Sequence, residues 1–282
     1  MVRLSTFFSS MDTMGQGYVS DELTHFVGKD LNPADRFGLL LEIMRTRYLR
    51  ASYRVEFGAG GTVYADRRKP VTSNSSVRAA AVCFCDIPVE HLSIHMDKYS
   101  PFGLAFKKKH LVARGASPVF YVARNAAPPP CPGIGSRSLG EKFDVLYKDL
   151  QSLQSGFREF LKVNREAWPM DGKVTVRRSP PGTPPAVALL GQLDGILADL
   201  DSMVFAHLKF FDPLLADDHE QNYYMEREWR VMGGLGFGLD NVSRVILPPD
   251  FVDQFRGELP EYRGPLTTIE EAGTVSTLGP GG

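Results

Sequence analysis

The run Tyr224-Met225-Glu226-Arg227-Glu228-Trp229-Arg230-Val231 concentrates the residue types best able to do chemistry. Read as a strand, its alternation sets Glu226, Glu228 and Arg230 on one face and Met225, Trp229 and Val231 on the other. Two carboxylates beside a guanidinium describe either a solvated sheet face with cross-strand ion pairs or a polar cleft in which Arg230 orients a carboxylate. Two earlier positions join the candidates. His25 falls at the end of a short strand pattern, where a histidine is a structural group or a polar member of a site. Tyr99 and Phe102 flank a turn before Gly103, and core packing is the simplest use of either ring.

Other groupings carry less. His91 and His95 have the i, i+4 spacing of helical metal ligands, with Asp97 nearby, but no third ligand is well placed. Cys83-Phe84-Cys85 has one residue between its thiols where a redox motif has two, so buried inert thiols are expected on one strand face. The basic run Lys107-Lys108-Lys109-His110 with Arg114 reads as a solvated helix face or a phosphate contact. Gly233-Gly234-Leu235-Gly236-Phe237-Gly238 opens no helix, so it meets neither nucleotide-binding fingerprint and is expected as a hairpin or loop. No Gly-x-Ser-x-Gly elbow or His-Glu-x-x-His motif is present.

The chain that must position these groups has 282 residues, 43% hydrophobic and 23% charged, with 32 Lys+Arg against 33 Asp+Glu and a formal net charge of -1. That balance gives no electrostatic case for a dedicated nucleic-acid or membrane-surface binder. Three cysteines, Cys83, Cys85 and Cys131, are too few and too badly spaced for a disulfide framework or a four-ligand zinc site. With no membrane-length apolar run and no signal-peptide core, a cytoplasmic protein is expected.

The elements follow from periodicity. Glu22 to Val27 reads as a strand, and Asn32-Pro33 opens a helix with Phe37, Leu40, Leu41, Met44 and Tyr48 on one face. Short β-like stretches surround Gly58 to Gly61, and a polar loop follows from Asp66 to Ser76. Ala79 to Ile87 suits a buried strand. Val89 to Lys98 reads as a helix, Phe102 to Phe106 as a strand, Lys107 to Arg114 as a short helix and Pro118 to Ala123 as a strand. The Pro-rich stretch from Ala126 to Gly135 marks a break. Beyond it, Phe143 to Leu161 and Val187 to Phe211 keep helical spacing, which predicts an antiparallel helical hairpin joined through Arg165 to Pro185. Strands return at Glu226 to Met232 and Arg244 to Leu247, with a short helix from Asp250 to Phe255. The expected fold is α+β: a split, mostly antiparallel sheet with flanking helices. Its body is formed by residues 1–136 and 223–268, interrupted by a helical insertion at 137–222 and followed by a disordered tail at 269–282.

Four stretches carry a family resemblance: Leu23 to Gly28, Val82 to Pro88 continuing through His95 to Lys108, Gly115 to Val122, and Glu226 to Val231. Through them the chain resembles the bacterial AbiGi abortive-infection family. The resemblance implies phage defence and the antitoxin half of a two-component pair. In the order of its features the chain is also similar, more distantly, to ADP-ribosyltransferases of the His-Tyr-Glu type. That similarity implies NAD as substrate. Glu228 would hold the ribose 2'-hydroxyl as positive charge develops on the ribose. His25 would hydrogen-bond the adenosine-side ribose, and Tyr99, Phe102 or Phe106 would stack on nicotinamide. Glu226 would orient or deprotonate an acceptor, nucleic acid or protein, while Arg230 holds a carboxylate. The chain departs from that pattern in lacking the tyrosine of the Gly-x-Tyr-Phe-like strand and any Ser-Thr-Ser motif. Two competing expectations stand beside it. One is a non-catalytic antitoxin that binds a partner toxin through the hairpin, the other an NAD glycohydrolase or sensor.

Overall fold

The computed structural model describes residues 20–51, 63–127, 137–163, 185–216, 219, 222–269 and 275–279. The expectations for the first 19 residues, the stretches around Gly58 to Gly61, the Pro-rich segment with Cys131, and nearly all of the hairpin connection lie outside the described residues.

The chain is α+β, with an eight-stranded, mostly antiparallel sheet flanked by helices. Strand β1 (Glu22–Phe26) pairs along its whole length with β6 (Gly103–Lys107). On its other side β1 meets β5 (Ala81–Cys85) in register at Thr24 and Cys85. β5 continues into β10 (Glu228–Met232), which pairs with the short β7 (Ser117–Pro118). Beyond β6 lie β12 (Val242–Ile246), then β13 (Leu266–Ile269), the one parallel neighbour, and β14 (Val275–Leu278). The disordered tail expected from residue 269 therefore carries a strand. Its Gly- and Pro-rich flanks masked the Val-Ser-Thr-Leu alternation, which pairs in register with Leu266–Ile269.

Helix α1 (Pro33–Thr46) begins where Asn32 Oδ1 accepts the Asp35 N–H at 3.0 Å with Pro33 in the first turn, and ends at Arg47 in the left-handed region (φ 54). It buries Phe37, Leu40, Leu41 and Met44 on the sheet, each worth about 1.5–3 kcal/mol of apolar burial. Short pairings frame the main sheet: β2 (Tyr48–Leu49) with β11 (Leu235–Gly236), and β3 (Val63–Ala65) with β4 (Val77–Ala79). Helices α2 (Ser93–Lys98), α3 (Lys108–Val112) and α6 (Val252–Glu258) occupy the connections.

Strand β8 (Phe120–Ala123) leaves the main sheet and pairs in parallel with β9 (Leu208–Phe211). Between them in sequence run α4 (Leu139–Val163) and α5 (Pro185–Asp199), which pack on each other, and α4 adds Tyr147 to a second core with Val71, Phe205 and Phe210. The second helix is shorter than its apolar spacing predicts. After α5 the chain passes through a π-helical turn at Leu200–Val204, and Leu208 and Phe211 belong to a strand.

Candidate functional site

Cross-strand register decides which side chains meet. Glu228 lies opposite Cys85, Arg230 opposite Cys83, and Thr24 opposite Cys85, so these residues share one sheet face. The other face carries Leu23, Val82, Phe84 and Val231 and packs into the main core with α1. Glu226 is not part of the expected continuous strand. It ends a 3-10 turn (Tyr223–Glu226), and Arg227, in the left-handed region at φ 43, re-aims the chain before β10 begins. Glu226 and Glu228 nevertheless reach the same place.

The group that joins them is Lys209 on β9. Its Nζ stands 2.5 Å from Glu226 Oε2 and 2.6 Å from Glu228 Oε2. Arg230 Nε donates to Glu228 Oε1 at 2.7 Å, while its guanidinium also donates to the Ala206 carbonyl. Glu226 accepts from Lys98 at 3.1 Å and from the Tyr99 hydroxyl. Tyr121 faces Lys209 across the β8–β9 pair, and its hydroxyl oxygen accepts the Glu228 N–H at 2.7 Å. Two carboxylates are thus held by three cations.

The electrostatics follow. Burial alone would raise the Glu228 carboxyl, but Lys209 and Arg230 outweigh it and hold the group at about 2. Glu226 is lowered too, burial again being outweighed by Lys209 and by the bonds from Lys209 and Tyr99. Lys209 is raised, because its two carboxylates overcome a burial that would lower it. Burial, assisted by the Glu228 charge, pushes the Cys83 thiol to about 12, and burial puts Cys85 there as well. Tyr99 is raised by burial and by Glu226, which keeps its proton on the oxygen.

Glu226, Glu228, Lys209, Tyr99, Cys83 and Cys85 line a cleft of about 250 Å³ that also includes Phe26, His25 and His95. His25 comes from β1, where alternation sets it off the Thr24 face. Its Nδ1 donates to the Cys83 carbonyl at 2.8 Å, and its ring lies 5.8 Å from Phe84. Burial lowers its pKa against that bond, so the ring is held neutral. Phe102 does not join the cleft. It is fully buried in the main core against Phe37 and Phe251, because the strand that follows the turn begins at Gly103 and leaves the ring on the α1 side. Arg230, Glu226, Glu228 and Tyr99 converge as a group, with His25 at the edge.

Sequence reasoning missed Lys209 and Lys98. The alternation of Leu208 and Phe210 around Lys209 was the available sign of a strand, and the helical spacing that precedes it concealed it. His91 and His95 do not share one helix as their spacing predicts. His91 sits in the turn before α2, and His95 Nε2 is bound to the Met225 carbonyl at 3.0 Å.

The hairpin presents a second feature. Tyr147 bonds Asp201 at 3.0 Å and Gln154 bonds Asp194 at 2.7 Å, so α4 and α5 run antiparallel. The buried positions Tyr147, Gln154 and Leu161 on α4, and Leu190 and Leu197 on α5, repeat every seventh residue. Immediately before each stands an exposed apolar residue: Leu146, Leu153 and Phe160 on α4, Leu189 and Ile196 on α5, with Met203 continuing the second row. These six are 49% to 69% exposed. One step back along a helix turns a side chain by about 100°, and in an antiparallel pair the two turns bring both rows to the same side. Leu146 with Met203, Leu153 with Ile196 and Phe160 with Leu189 then form three rungs of one apolar face, about 21 Å long at 1.5 Å per residue. No described helix is long and apolar enough to cross a membrane.

Comparison with known proteins adds one finding. The profile of a family described as "Putative abortive phage resistance protein AbiGi, antitoxin" matches residues 60–255. No curated protein and no solved structure is significantly similar to the chain. The matched stretch runs from before β3 into α6 and takes in α4, α5, Lys209 and both glutamates, more than two thirds of the sequence. On that extent the chain belongs to the AbiGi family of abortive phage resistance proteins.

Proposed function

We propose that this protein is the antitoxin of an abortive-infection pair and neutralises its toxin by binding it through the exposed face of α4 and α5. The observation that carries this reading is the three-rung apolar face, a contiguous surface of a kind that soluble chains cover with a partner. Its seven-residue repeat on two parallel rows suits an amphipathic helix of the toxin laid between them. The family description supplies the toxin as the occupant. The test is neutralisation on co-expression: wild-type protein restores growth to cells making the toxin of the pair, and a Leu153→Glu/Ile196→Glu variant does not. A face variant that still restores growth sinks the reading, as does sedimentation showing the face occupied by a second copy of the chain in the toxin complex.

A second reading, ADP-ribosyl transfer from NAD, draws on the convergence of Glu226, Glu228 and Tyr99 beside His25. The residues fit NAD poorly as they stand. Both oxygens of Glu228 are engaged by Arg230 and Lys209, and both of Glu226 by Lys98, Tyr99 and Lys209. The Tyr99 ring lies 5.9 Å from Phe26 at 14°, with the Lys29 and Lys98 ammonium groups 5.1 and 5.5 Å from its centre. No ring face is left ready for nicotinamide. Incubation with adenylate-labelled NAD decides the matter: label transferred to protein or nucleic acid, and lost in Glu228→Gln, would establish a transferase, and released ADP-ribose alone a glycohydrolase.

A further inference from the structure

The two helices of the hairpin meet through layers that recur every seventh residue. Tyr147 on α4 bonds Asp201 in the π-turn, and Gln154 bonds Asp194 on α5. One repeat further on, Leu161 and Val187 are both buried. Apolar contact rewards buried area rather than one particular pairing, so such a repeat tolerates a slip of α5 past α4 by seven residues. In the slipped arrangement Asp194 would meet Tyr147, Leu146 would meet Ile196 and Leu153 would meet Leu189. Phe160 and Met203 would be left without partners, and the three rungs of the exposed face would become two. The stretch Leu200–His207, where a π-turn and a 3-10 turn replace regular helix before β9, is where such a slip is taken up.

A group outside both helices fixes the register. Arg67 stands in the turn that follows β3, and its guanidinium reaches across the hairpin. Nη1 donates to Gln154 Oε1 at 2.5 Å, and Nη2 lies 3.4 Å from Asp201 Oδ2. Gln154 is buried and donates from its other end to Asp194 at 2.7 Å, so one line of bonds runs from Asp201 through Arg67 and Gln154 to Asp194. A seven-residue slip carries Asp201 about 10 Å away from Arg67 and breaks that line.

Arg67 is held on firm ground. The Asp66 N–H donates to the Ser76 carbonyl at 2.6 Å and closes the stretch between them. Within it, Thr72 bonds Asp144 near the start of α4 through its N–H at 3.0 Å and its hydroxyl at 2.8 Å. Asn74 bonds the N–H and the carbonyl of Phe210 on β9, at 2.8 and 2.7 Å. The turn that carries Arg67 is therefore tied to α4 and to β9, the two elements between which α5 has to be placed. A planar guanidinium offers N–H groups in fixed directions and can hold two partners at once, which suits it to this task.

We infer that Arg67 is the positioning residue of the partner-binding face: by gripping Gln154 and Asp201 together it selects the register in which the exposed rows of α4 and α5 form three rungs. Its effect on toxin binding rests on the reading of that face as the toxin site, whereas its effect on register does not.

The experiment measures the rows directly, by pulsed electron spin resonance on the full chain with Cys131 replaced by Ser. One sample carries nitroxides at positions 153 and 196, the other at 153 and 189. The wild type should give the shorter distance for 153 and 196. Arg67→Met/Asp201→Asn removes the grip without leaving a buried unpaired carboxylate. It should lengthen the 153–196 distance and shorten the 153–189 distance, each by roughly 5 Å or more. Arg67→Lys keeps a cation for Asp201 but cannot hold Gln154 as well, and should shift both distances in the same sense, whereas a merely electrostatic role would be rescued by it. Near-ultraviolet circular dichroism checks that each variant is folded, and loss of fold in the double variant leaves Arg67→Lys to decide. Calorimetry with the toxin should show affinity reduced at least about tenfold in the unlabelled variants. Wild-type distances in folded Arg67→Lys overturn the inference. So does a shifted register with unchanged toxin affinity, where Leu153→Glu/Ile196→Glu abolishes binding. If that face variant still binds toxin, the reading of the face fails, and the distances alone decide the role of Arg67.

Discussion

Lys209 on β9 and Glu228 on β10 form a buried ion pair of 2.6 Å that ties the two-stranded β8–β9 sheet to the eight-stranded one. Arg230 completes it from the same strand as Glu228, at 2.7 Å. Removing the Glu228 charge leaves Lys209 buried with Glu226 as its remaining carboxylate, and takes from the buried Arg230 the carboxylate it is bonded to. Glu228→Gln should therefore cost about 3–5 kcal/mol in urea unfolding, as breaking one side of a buried pair does. A loss well under 1 kcal/mol, with Lys209→Met equally mild, would detach the cluster from the fold's stability and return Glu228 to a cleft poised for chemistry.

The same cluster sets a pH dependence. Glu228 is held at about 2 in the folded chain against an ordinary value near 4.5, so between those values the unfolded chain binds more protons. The stability from Glu228 is present above the ordinary value and is lost as pH falls through that window. His25 and His95 are lowered by burial, so their contribution begins to fall earlier, below about 6.5. Melting temperature should decline from pH 7 in two stages, with the lower stage shallower in Glu228→Gln. An unchanged lower stage in that variant would show that other carboxylates cause it.

The hairpin face should be separable from the fold. Leu153 and Ile196 are 61% and 57% exposed, and exposed substitutions of this kind usually stay within about 0.5 kcal/mol. Leu153→Ser/Ile196→Ser should melt with the wild type, whereas Leu161→Ala, from the buried row beside it, should cost about 2–5 kcal/mol. Equal losses in both variants would mean that the outer row is packed in the free protein.

Thiol chemistry gives an independent check on the cleft. Cys83 and Cys85 are both held at about 12, by burial first, so neither is a thiolate at pH 8. Iodoacetamide under native conditions should leave the peptides containing them unmodified, while denaturation exposes both. Rapid native alkylation of Cys83 would mean that the cleft opens readily past Lys209.

Phe102 separates core from site. With the ring fully buried against Phe37 and Phe251, Phe102→Ala should cost about 3–5 kcal/mol in unfolding experiments. A mild loss, with altered ligand binding in the cleft, would place the ring back in the site.

What the sequence determined by itself was local. Apolar spacing places α1 and the hairpin helices, and alternation marks β5, because a helix stripe or a strand face is written in neighbouring residues. Glu228 and Arg230 on one strand face were legible for the same reason, as were the family motifs that fall within residues 60–255, whereas Glu226 joins them from a turn. Tertiary structure decided which partners those groups have. Lys209 reaches the glutamates only because β9 pairs in parallel with β8, a contact between segments separated by two helices that no local pattern encodes. Phe102 and Tyr99 stand three residues apart with similar rings, yet one enters the core and the other the cleft, because the turn between them sends the chain into β6. The alignment of the exposed rows on α4 and α5 likewise exists only once the helices run antiparallel in the register that Gln154 and Asp194 fix. Neighbouring residues set periodicity and chemistry, but the free energy of long-range pairing sets which charges and which apolar rows finally meet.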